Sequence, residues 1–126
     1  MRDFYFFTSK KITAQDCFDA LSKEIKNVEM NGADAIRINS NLRTFIWFYN
    51  DRLEDGIYES QEEYENEKKL NPIKDPYITF LESHRSIDVK RVVRVLIKLY
   101  PELYIEASDD ELLCSAQEYL NTEFDY

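Results

Sequence analysis

The chain has 126 residues, of which 44% are hydrophobic and 14% aromatic, and this composition predicts one folded domain spanning residues 1–126. Its net charge of −9 argues against nucleic acid as a partner, because phosphate binding depends on clustered Lys and Arg. No apolar stretch approaches the roughly twenty residues that span a bilayer. The two cysteines, Cys17 and Cys114, lie far apart in apolar stretches, which favours free buried thiols and a cytoplasmic location.

The first elements predicted along the chain are a short strand and an amphipathic helix. Residues 4–7 (FYFF) predict a buried strand. Thr13 is the predicted N-cap of the helix, with Asp16 three residues on to reach back toward the first turn. We expect this helix to end near residues 26–27. Its apolar residues recur at helical spacing, namely Cys17, Phe18, Leu21 and Ile25.

A hairpin and a long strand are predicted next. Asn31-Gly32 is a turn signal, because both residues tolerate positive φ, and it would join strands over 28–30 and 35–38. Residues 42–49 (LRTFIWFY) predict a further strand that is apolar on both faces toward its end. Such a strand is central or covered on both sides, although the aromatic run could instead form a binding surface.

The composition then becomes acidic. Residues 51–76 hold four Lys or Arg against nine Asp or Glu, a net charge of −5. Ser60 and Glu63 have capping-box spacing, which predicts a short helix over about 61–70. Few apolar residues are available to anchor this helix, so we expect a surface excursion at about 51–76 that is mobile or faces a partner.

A strand and a second amphipathic helix follow. Residues 77–82 predict the strand, Ser86 is the predicted helix N-cap, and Asp88 in the first turn suits the helix dipole. Pro101 marks the end of the helix. Its expected buried face is Val89, Val92, Val93, Leu96, Ile97 and Tyr100, and its expected solvent face is Lys90, Arg91, Arg94 and Lys98.

The C-terminal part predicts a strand over 103–107, an acidic turn, a short strand over 112–114 and a helix opened by the capping box of Ser115 and Glu118. The predicted order is β-α-β-β, the acidic segment, β-α-β-β and a short helix. This order indicates an α+β fold with a mostly antiparallel sheet and helices packed on one face, ferredoxin-like or related.

The sequence offers little catalytic chemistry. His84 is the single histidine, and it has no Cys or Ser nucleophile in a recognisable local motif. Carboxylates at 109–111 could offer oxygen ligands, but the glycine and distal glutamate of a calcium loop are missing. We therefore predict no catalytic residues, no cofactor and no bound metal. A small enzyme is the remaining alternative if carboxylates converge with His84 in a pocket.

The run LYIEASDDELLCSAQEYLN, residues 103–121, resembles the tail of small bacterial immunity proteins from polymorphic toxin and contact-dependent growth-inhibition systems. In many of those proteins a strand ends in an acidic turn, a short strand follows, and a Ser-capped helix closes the chain. The resemblance implies that the chain binds the toxic domain of a cognate protein, and many such toxins are nucleases with basic clefts.

Charge distribution points to the same kind of partner. Residues 102–126 carry eight Asp or Glu and no Lys or Arg, and opposite potentials favour a basic protein as the partner. The alternative is an acidic inhibitor, encoded by a phage or plasmid, that acts on a host protein. The predicted partner-binding residues are Asp51, Glu54, Asp55, Tyr58, Glu59, Glu62, Glu63, Tyr64, Glu106, Asp109, Asp110 and Glu111, with Tyr49 as a further candidate anchor.

Overall fold

A computed structural model describes residues 2–33, 35–38, 44–52, 60, 62, 65, 72–73, 76–108 and 112–123, and for 44–45 and 47–52 it describes the backbone. The strands are β1 (Arg2–Thr8), β2 (Val28–Met30), β3 (Ala35–Ile38), β4 (Thr44–Arg52), β5 (Tyr77–Ser83), β6 (Tyr104–Ala107) and β7 (Leu112–Ser115). The helices are α1 (Ala14–Ser22), α2 (Ser86–Leu99) and α3 (Ala116–Leu120).

These strands form one seven-stranded sheet in the order β2-β3-β4-β5-β1-β6-β7, with antiparallel neighbours throughout. At its centre β1 lies between β5 and β6, β4 lies beside β5, and α1 and α2 make the crossovers. This is the β-α-β-β-α-β arrangement of ferredoxin-like folds. The β2–β3 hairpin widens one edge and β7 widens the other. The predicted α+β class is confirmed, and the three strands predicted after the first helix, over 28–30, 35–38 and 42–49, correspond to β2, β3 and β4.

Helices α1, α2 and α3 pack on one face of this sheet and share a hydrophobic core with it. The alternation of side chains along each strand selects which residues enter the core. In β1, Phe4 and Phe6 are 1% and 0% exposed, and the Phe4 ring meets the buried Tyr119 ring of α3 edge to face, with centroids 6.1 Å apart. The helices contribute Cys17, Leu21, Val89, Val92, Val93, Leu96 and Ala116, each 0% exposed.

Both cysteines belong to this core as free thiols. Burial and, to a smaller extent, the nearby Asp16 carboxylate together raise the pKa of Cys17 to about 12. Burial and, to a smaller extent, the Glu118 carboxylate raise the pKa of Cys114 to about 11. Thiols with such pKa values stay protonated at neutral pH and are poor nucleophiles. The prediction of free buried thiols is confirmed.

Two local predictions, the first helix cap and the hairpin turn, are also confirmed. The Thr13 side chain accepts a hydrogen bond from the backbone N–H of Asp16 at 3.1 Å, as an N-cap does. Between β2 and β3, Gly32 has a φ of +82°, which a glycine adopts without strain. The Asn31 N–H donates to the Ala35 carbonyl at 2.8 Å and closes the turn.

The predicted end of α1 is wrong. The helix ends at Ser22, four to five residues before the predicted end near 26–27. After it, the Glu24 and Ile25 N–H groups both donate to the Leu21 carbonyl, and Asn27 takes a left-handed φ of 62°. Ile25 is still buried at 6% exposure, so the apolar spacing that suggested a longer helix is met by a turn.

The predicted N-cap of α2 is wrong as well. Ser86 is the first helical residue, and the N-cap is Arg85, whose side chain makes no capping hydrogen bond. The Arg85 N–H instead donates to the Ser83 hydroxyl at 3.3 Å. In the first turn, the buried Asp88 carboxylate lies 4.0 Å from Arg85 Nε and 3.8 Å from Arg91 Nη1. Its charge favours the positive end of the helix dipole, as predicted.

Lys90 was expected on the solvent face of α2, and this prediction is wrong. The residue is 8% exposed, and its Nζ donates to the backbone carbonyl of Thr122 at 2.5 Å. The Thr122 hydroxyl in turn donates to the Tyr119 carbonyl at 2.7 Å. Lys90 therefore fastens the segment after α3 onto α2. Sequence spacing could not show this, because the partner is a backbone atom far along the chain.

The acidic segment is described at a few positions. Asp51 and Arg52 belong to β4, while Ser60, Glu62, Glu65 and Pro72 are exposed, and Glu62 and Glu65 are helical. Pro76 is buried, and Ile73 packs against Phe7 and Ile78 on the sheet. The rest of the predicted 61–70 helix and the Glu63 half of its capping box lie outside the described residues. Within the described ranges, the helices are too short or too polar to cross a bilayer.

Candidate partner-binding face

The sheet face opposite the helices changes in character from an apolar end to an acidic end. At one end Phe7 and Ile78, which are paired across β1 and β5, are 0% and 1% exposed. Half-buried apolar side chains pack around them, from Tyr5, Ile73, Tyr104 and Leu113. This end is closed by apolar contact, and the segment that leads into β5 supplies part of the cover through Ile73.

At the other end of the same face the side chains are acidic. Asp3 of β1 lies directly opposite Glu82 of β5, and Tyr5 of β1 lies directly opposite Glu106 of β6. Residues that face each other across antiparallel strands have Cβ atoms about 5 Å apart, and diagonal neighbours are about 7–8 Å apart. Asp3, Glu82 and Glu106, all half-buried, therefore form one cluster, which we call the acidic patch.

Like charges in directly opposed positions disfavour strand pairing, so the Asp3–Glu82 register is locally unfavourable by itself. The neighbouring strands show the opposite arrangement. Glu29 of β2 lies opposite Arg37 of β3, and their side chains form an ion pair of 2.8 Å. The sheet thus carries one matched charged pair and one like-charged pair on the same face.

Two aromatic rings lie between the acidic and the apolar ends. Tyr5 and Phe80 are directly opposed, with ring centroids 5.2 Å apart and a tilt of 46°. Both are half-buried, so each offers part of its ring to a partner. In the backbone register of β4, Trp47 is opposite Phe80 and Phe45 is opposite Glu82. Rings beside carboxylates suit arginine, which can pair with a carboxylate and stack on an aromatic face.

Tyr104 marks the border with the apolar end. Its pKa is raised by burial, then by the Glu118 carboxylate and by Cys114. The phenol therefore stays protonated through neutral and mildly alkaline pH and can donate a hydrogen bond. The face as a whole offers carboxylate acceptors, aromatic surface and a phenol donor.

The residues predicted from sequence fall unevenly on this face. Glu106 lies in the acidic patch, and the prediction had placed it in a partner-binding site. Asp51 lies in β4, and Glu62 is an exposed helical residue in the acidic segment. The other predicted residues lie outside the described residues: Glu54, Asp55, Tyr58, Glu59, Glu63, Tyr64, Asp109, Asp110 and Glu111. They stay predictions.

Sequence reasoning missed Asp3, Tyr5, Phe80 and Glu82. Both strands were predicted, and alternation along each would have put Asp3 with Tyr5, and Phe80 with Glu82, on one face. What the sequence could not supply is the pairing of β1 with β5 and its register, which bring the two acidic residues into opposition.

His84, the alternative catalytic candidate, is exposed at the end of β5. Among the described residues, no three His, Cys, Asp or Glu side chains are grouped so that they could hold a metal ion. Comparison of the chain with protein-family models, with curated proteins and with solved structures found no match.

Proposed function

We propose that this chain is a neutralising protein of the small bacterial immunity class, which binds a basic toxin domain, of nuclease type, and covers its active-site surface. The observation that carries the proposal is the acidic patch of Asp3, Glu82 and Glu106 beside the Tyr5–Phe80 ring pair. The proposed place of action is the cytoplasm. The tail resemblance over 103–121 and the net charge of −9 support the same function.

A nuclease binds phosphates through Lys and Arg, so its cleft is a positive surface that carboxylates can occupy in place of phosphates. Complementary charge speeds encounter and selects the partner, while buried aromatic residues supply much of the affinity of an interface. The acidic patch provides the first property and the Tyr5–Phe80 ring pair the second. Because β1, β5 and β6 hold these residues in paired strands, little ordering is needed on binding.

The test uses the full chain and any toxin-like protein that is found to be encoded beside its gene. Calorimetry at low and at high salt should give tight binding that weakens as salt rises, and the chain should inhibit the toxin's activity at equal concentration. The double variant E82K/E106K places cations where the toxin's own cations would dock, so we expect affinity to fall by about a hundredfold or more.

For the single variant E82K the matched control is E123K, which likewise replaces one carboxylate by one ammonium group, at an exposed residue that follows α3. Its affinity should stay within a few-fold of the unchanged chain. If the patch variant and the control lost affinity equally, the attraction would depend on overall charge and the acidic patch would not be the binding site. A toxin-like neighbour that neither binds nor is inhibited would contradict the proposed function.

A further inference from the structure

The seven-stranded sheet ends on one side at β7, which pairs with β6 on its inner side and is an edge strand among the described residues. Tyr5 lies opposite Glu106, and Glu106 lies opposite Leu113, so one cross-strand row runs from the acidic patch to this edge. Leu113 is half-buried and packs beside the apolar end of the same face. The β7 edge is therefore continuous with the acidic patch.

The hydrogen bonds at the end of β7 show which of its backbone groups point outward. In an antiparallel pair of strands, hydrogen-bonded and non-hydrogen-bonded residue pairs alternate. The Ala116 N–H donates to the Leu103 carbonyl at 2.9 Å, so this pair is a hydrogen-bonded one. Counting back along β7, Ser115 and Leu113 belong to non-hydrogen-bonded pairs with β6. Their N–H and C=O groups therefore point away from β6, toward the open edge.

Of these two residues, Ser115 already uses its outward N–H. It donates to the Glu118 carboxylate at 3.2 Å, as part of the capping box of α3. For Leu113, the described part of the chain supplies no partner to the outward N–H and C=O. A donor and an acceptor on one edge residue are the groups that an added strand uses.

The two edges of the sheet differ in how they are protected. Edge strands are usually blunted by charged residues, proline or a bulge. At the β2 edge, the central Glu29 is charged and forms its ion pair of 2.8 Å with Arg37. The β7 sequence is LLCS, without charge or proline, and its register with β6 is continuous. Between these two edges, β7 is the one suited to accept a further strand.

Charge selects what kind of strand this is. Residues 102–126 carry eight Asp or Glu and no Lys or Arg. A second copy of the chain at this edge would bring two such segments together, and like charges oppose that. A basic segment is attracted instead, both to these residues and to the neighbouring acidic patch.

We propose that an extended basic segment of the partner protein adds to the sheet as a strand beside β7. Its backbone hydrogen-bonds to the N–H and C=O of Leu113. The side chain that faces Leu113 lies on the face of the acidic patch, about 10 Å from β6, because neighbouring strands are about 4.8 Å apart. An arginine or lysine at this position lays its apolar stem along Leu113 and brings its charge to Glu106.

This proposal rests on the proposed function in one respect, that the partner is a basic protein. It adds the part of the partner that binds and the way it binds. A strand at the β7 edge and a surface over the acidic patch belong to one continuous interface, so one partner can occupy both.

The first experiment needs no partner, because hydrogen exchange followed by NMR tests whether the edge is open. In the free full chain, the Leu113 N–H should exchange about a hundredfold or more faster than the Cys114 N–H, which points into the ladder with β6. Equal protection of the two amides would mean that the edge is already covered, and would overturn the proposal.

The second experiment adds a capped seven-residue peptide of alternating arginine and valine. We expect saturable shifts at Leu113 and Glu106 and slower exchange of the Leu113 N–H. One control peptide has glutamate in place of arginine, and another keeps arginine but has N-methylated backbone amides. Neither control should bind. Equal shifts with the N-methylated peptide would show charge attraction without strand pairing, and equal shifts with the glutamate peptide, or none with the arginine peptide, would also overturn the proposal.

The third experiment measures affinity for the toxin-like partner. L113P removes the outward N–H without removing a bond to β6, since proline is tolerated at such edge positions. The matched control L113A also loses the leucine side chain but keeps the N–H. We expect L113P to bind about tenfold more weakly than L113A.

Equal affinities of L113P and L113A, together with a loss of affinity in E82K, would sink the added strand and keep the proposed function. A toxin-like protein that does not bind, beside arginine-specific pairing of the peptide at Leu113, would do the reverse. If L113P folds poorly, the complex of the unchanged chain answers the same question. Its Leu113 N–H should exchange about a hundredfold more slowly than in the free chain, and an unchanged rate would overturn the proposal.

Discussion

The two faces of the sheet are built from different side chains and have different tasks. On the helix side, aliphatic and aromatic residues from strands and helices are almost wholly excluded from water. On the other side, buried apolar residues occupy one end, and half-buried rings and carboxylates occupy the other. The first face contributes most of the burial that stabilises the fold. The second can therefore carry an unfavourable like-charge pair.

This division also explains how the acidic patch is held. Phe4 and Phe6 are buried among the helices, so the register of β1 is fixed by the core; a one-residue slip would expose them. Asp3 and Tyr5, which alternate with these two residues along β1, must then lie on the opposite face of the sheet. The positions of the acidic-patch residues are therefore set by packing on the opposite face of the sheet.

The largest effect that can test this division comes from the helix-side core. Leu96 of α2 is 0% exposed, and Leu96→Ala would leave a cavity where the surrounding core cannot close fully. We expect a loss of about 2–5 kcal/mol in the free energy of unfolding. Urea unfolding monitored by circular dichroism measures it.

The same helix supplies the control, three residues further on. Leu99 is 52% exposed, so Leu99→Ala should change the free energy of unfolding by about 0.5 kcal/mol or less. If the two variants lost similar stability, the helix-side core would not be the main source of stability, and the comparison between the faces would break down.

A smaller effect is expected from Lys90, the buried cation of the helix side. Lys90→Met keeps most of the side-chain volume but removes the hydrogen bond to the Thr122 carbonyl. We expect a loss of about 1–3 kcal/mol, because a buried acceptor loses a charged donor. Hydrogen exchange should also quicken in α3, which the bond fastens to α2. Arg94→Met, at an exposed position of the same helix, should be nearly neutral.

Much of the secondary structure could be predicted from sequence, because the signals are local. Thr13 and Ser115 act within three residues of themselves, and Gly32 sets its turn through its own φ. The apolar and aromatic residue patterns predicted where the strands lie. The error at Lys90 has a tertiary cause, since the Thr122 carbonyl that binds it lies 32 residues further along the chain. The error at Ser86 is local: the helix begins one residue earlier than predicted, after Arg85, whose N–H donates to Ser83 two residues before it.

The candidate site was less predictable. The acidic patch requires the pairing of β1 with β5 and β6. These are contacts between segments far apart in the chain. Glu106 could be proposed because it sits in an acidic run, whereas Asp3 and Glu82 are isolated acids in apolar strands and gave no local signal.

A further prediction concerns a local device on the helix side. The Ser115 side chain accepts from the Glu118 N–H, and the Glu118 carboxylate accepts from the Ser115 N–H, both at 3.2 Å. Ser115→Ala removes the cap and should cost about 1 kcal/mol in thermal or urea unfolding. Ser22→Ala, at the exposed end of α1, should cost less, because the Ser22 hydroxyl only donates to the Asp19 carbonyl at 3.3 Å. Equal losses would mean that the capping box adds nothing.

The smallest expected change in stability, and the one that separates the two faces most directly, is at Glu82. Glu82→Gln keeps the shape of the side chain and removes one of two directly opposed charges. Since like charges in that position disfavour pairing, we expect stability to stay the same or rise by a few tenths of a kcal/mol. Affinity for the basic partner should fall, because a charge that the partner needs is gone. Opposite signs for stability and affinity identify a residue kept for binding. A clear loss of stability would instead place Glu82 among the structural residues and leave the acidic patch without its defining pair.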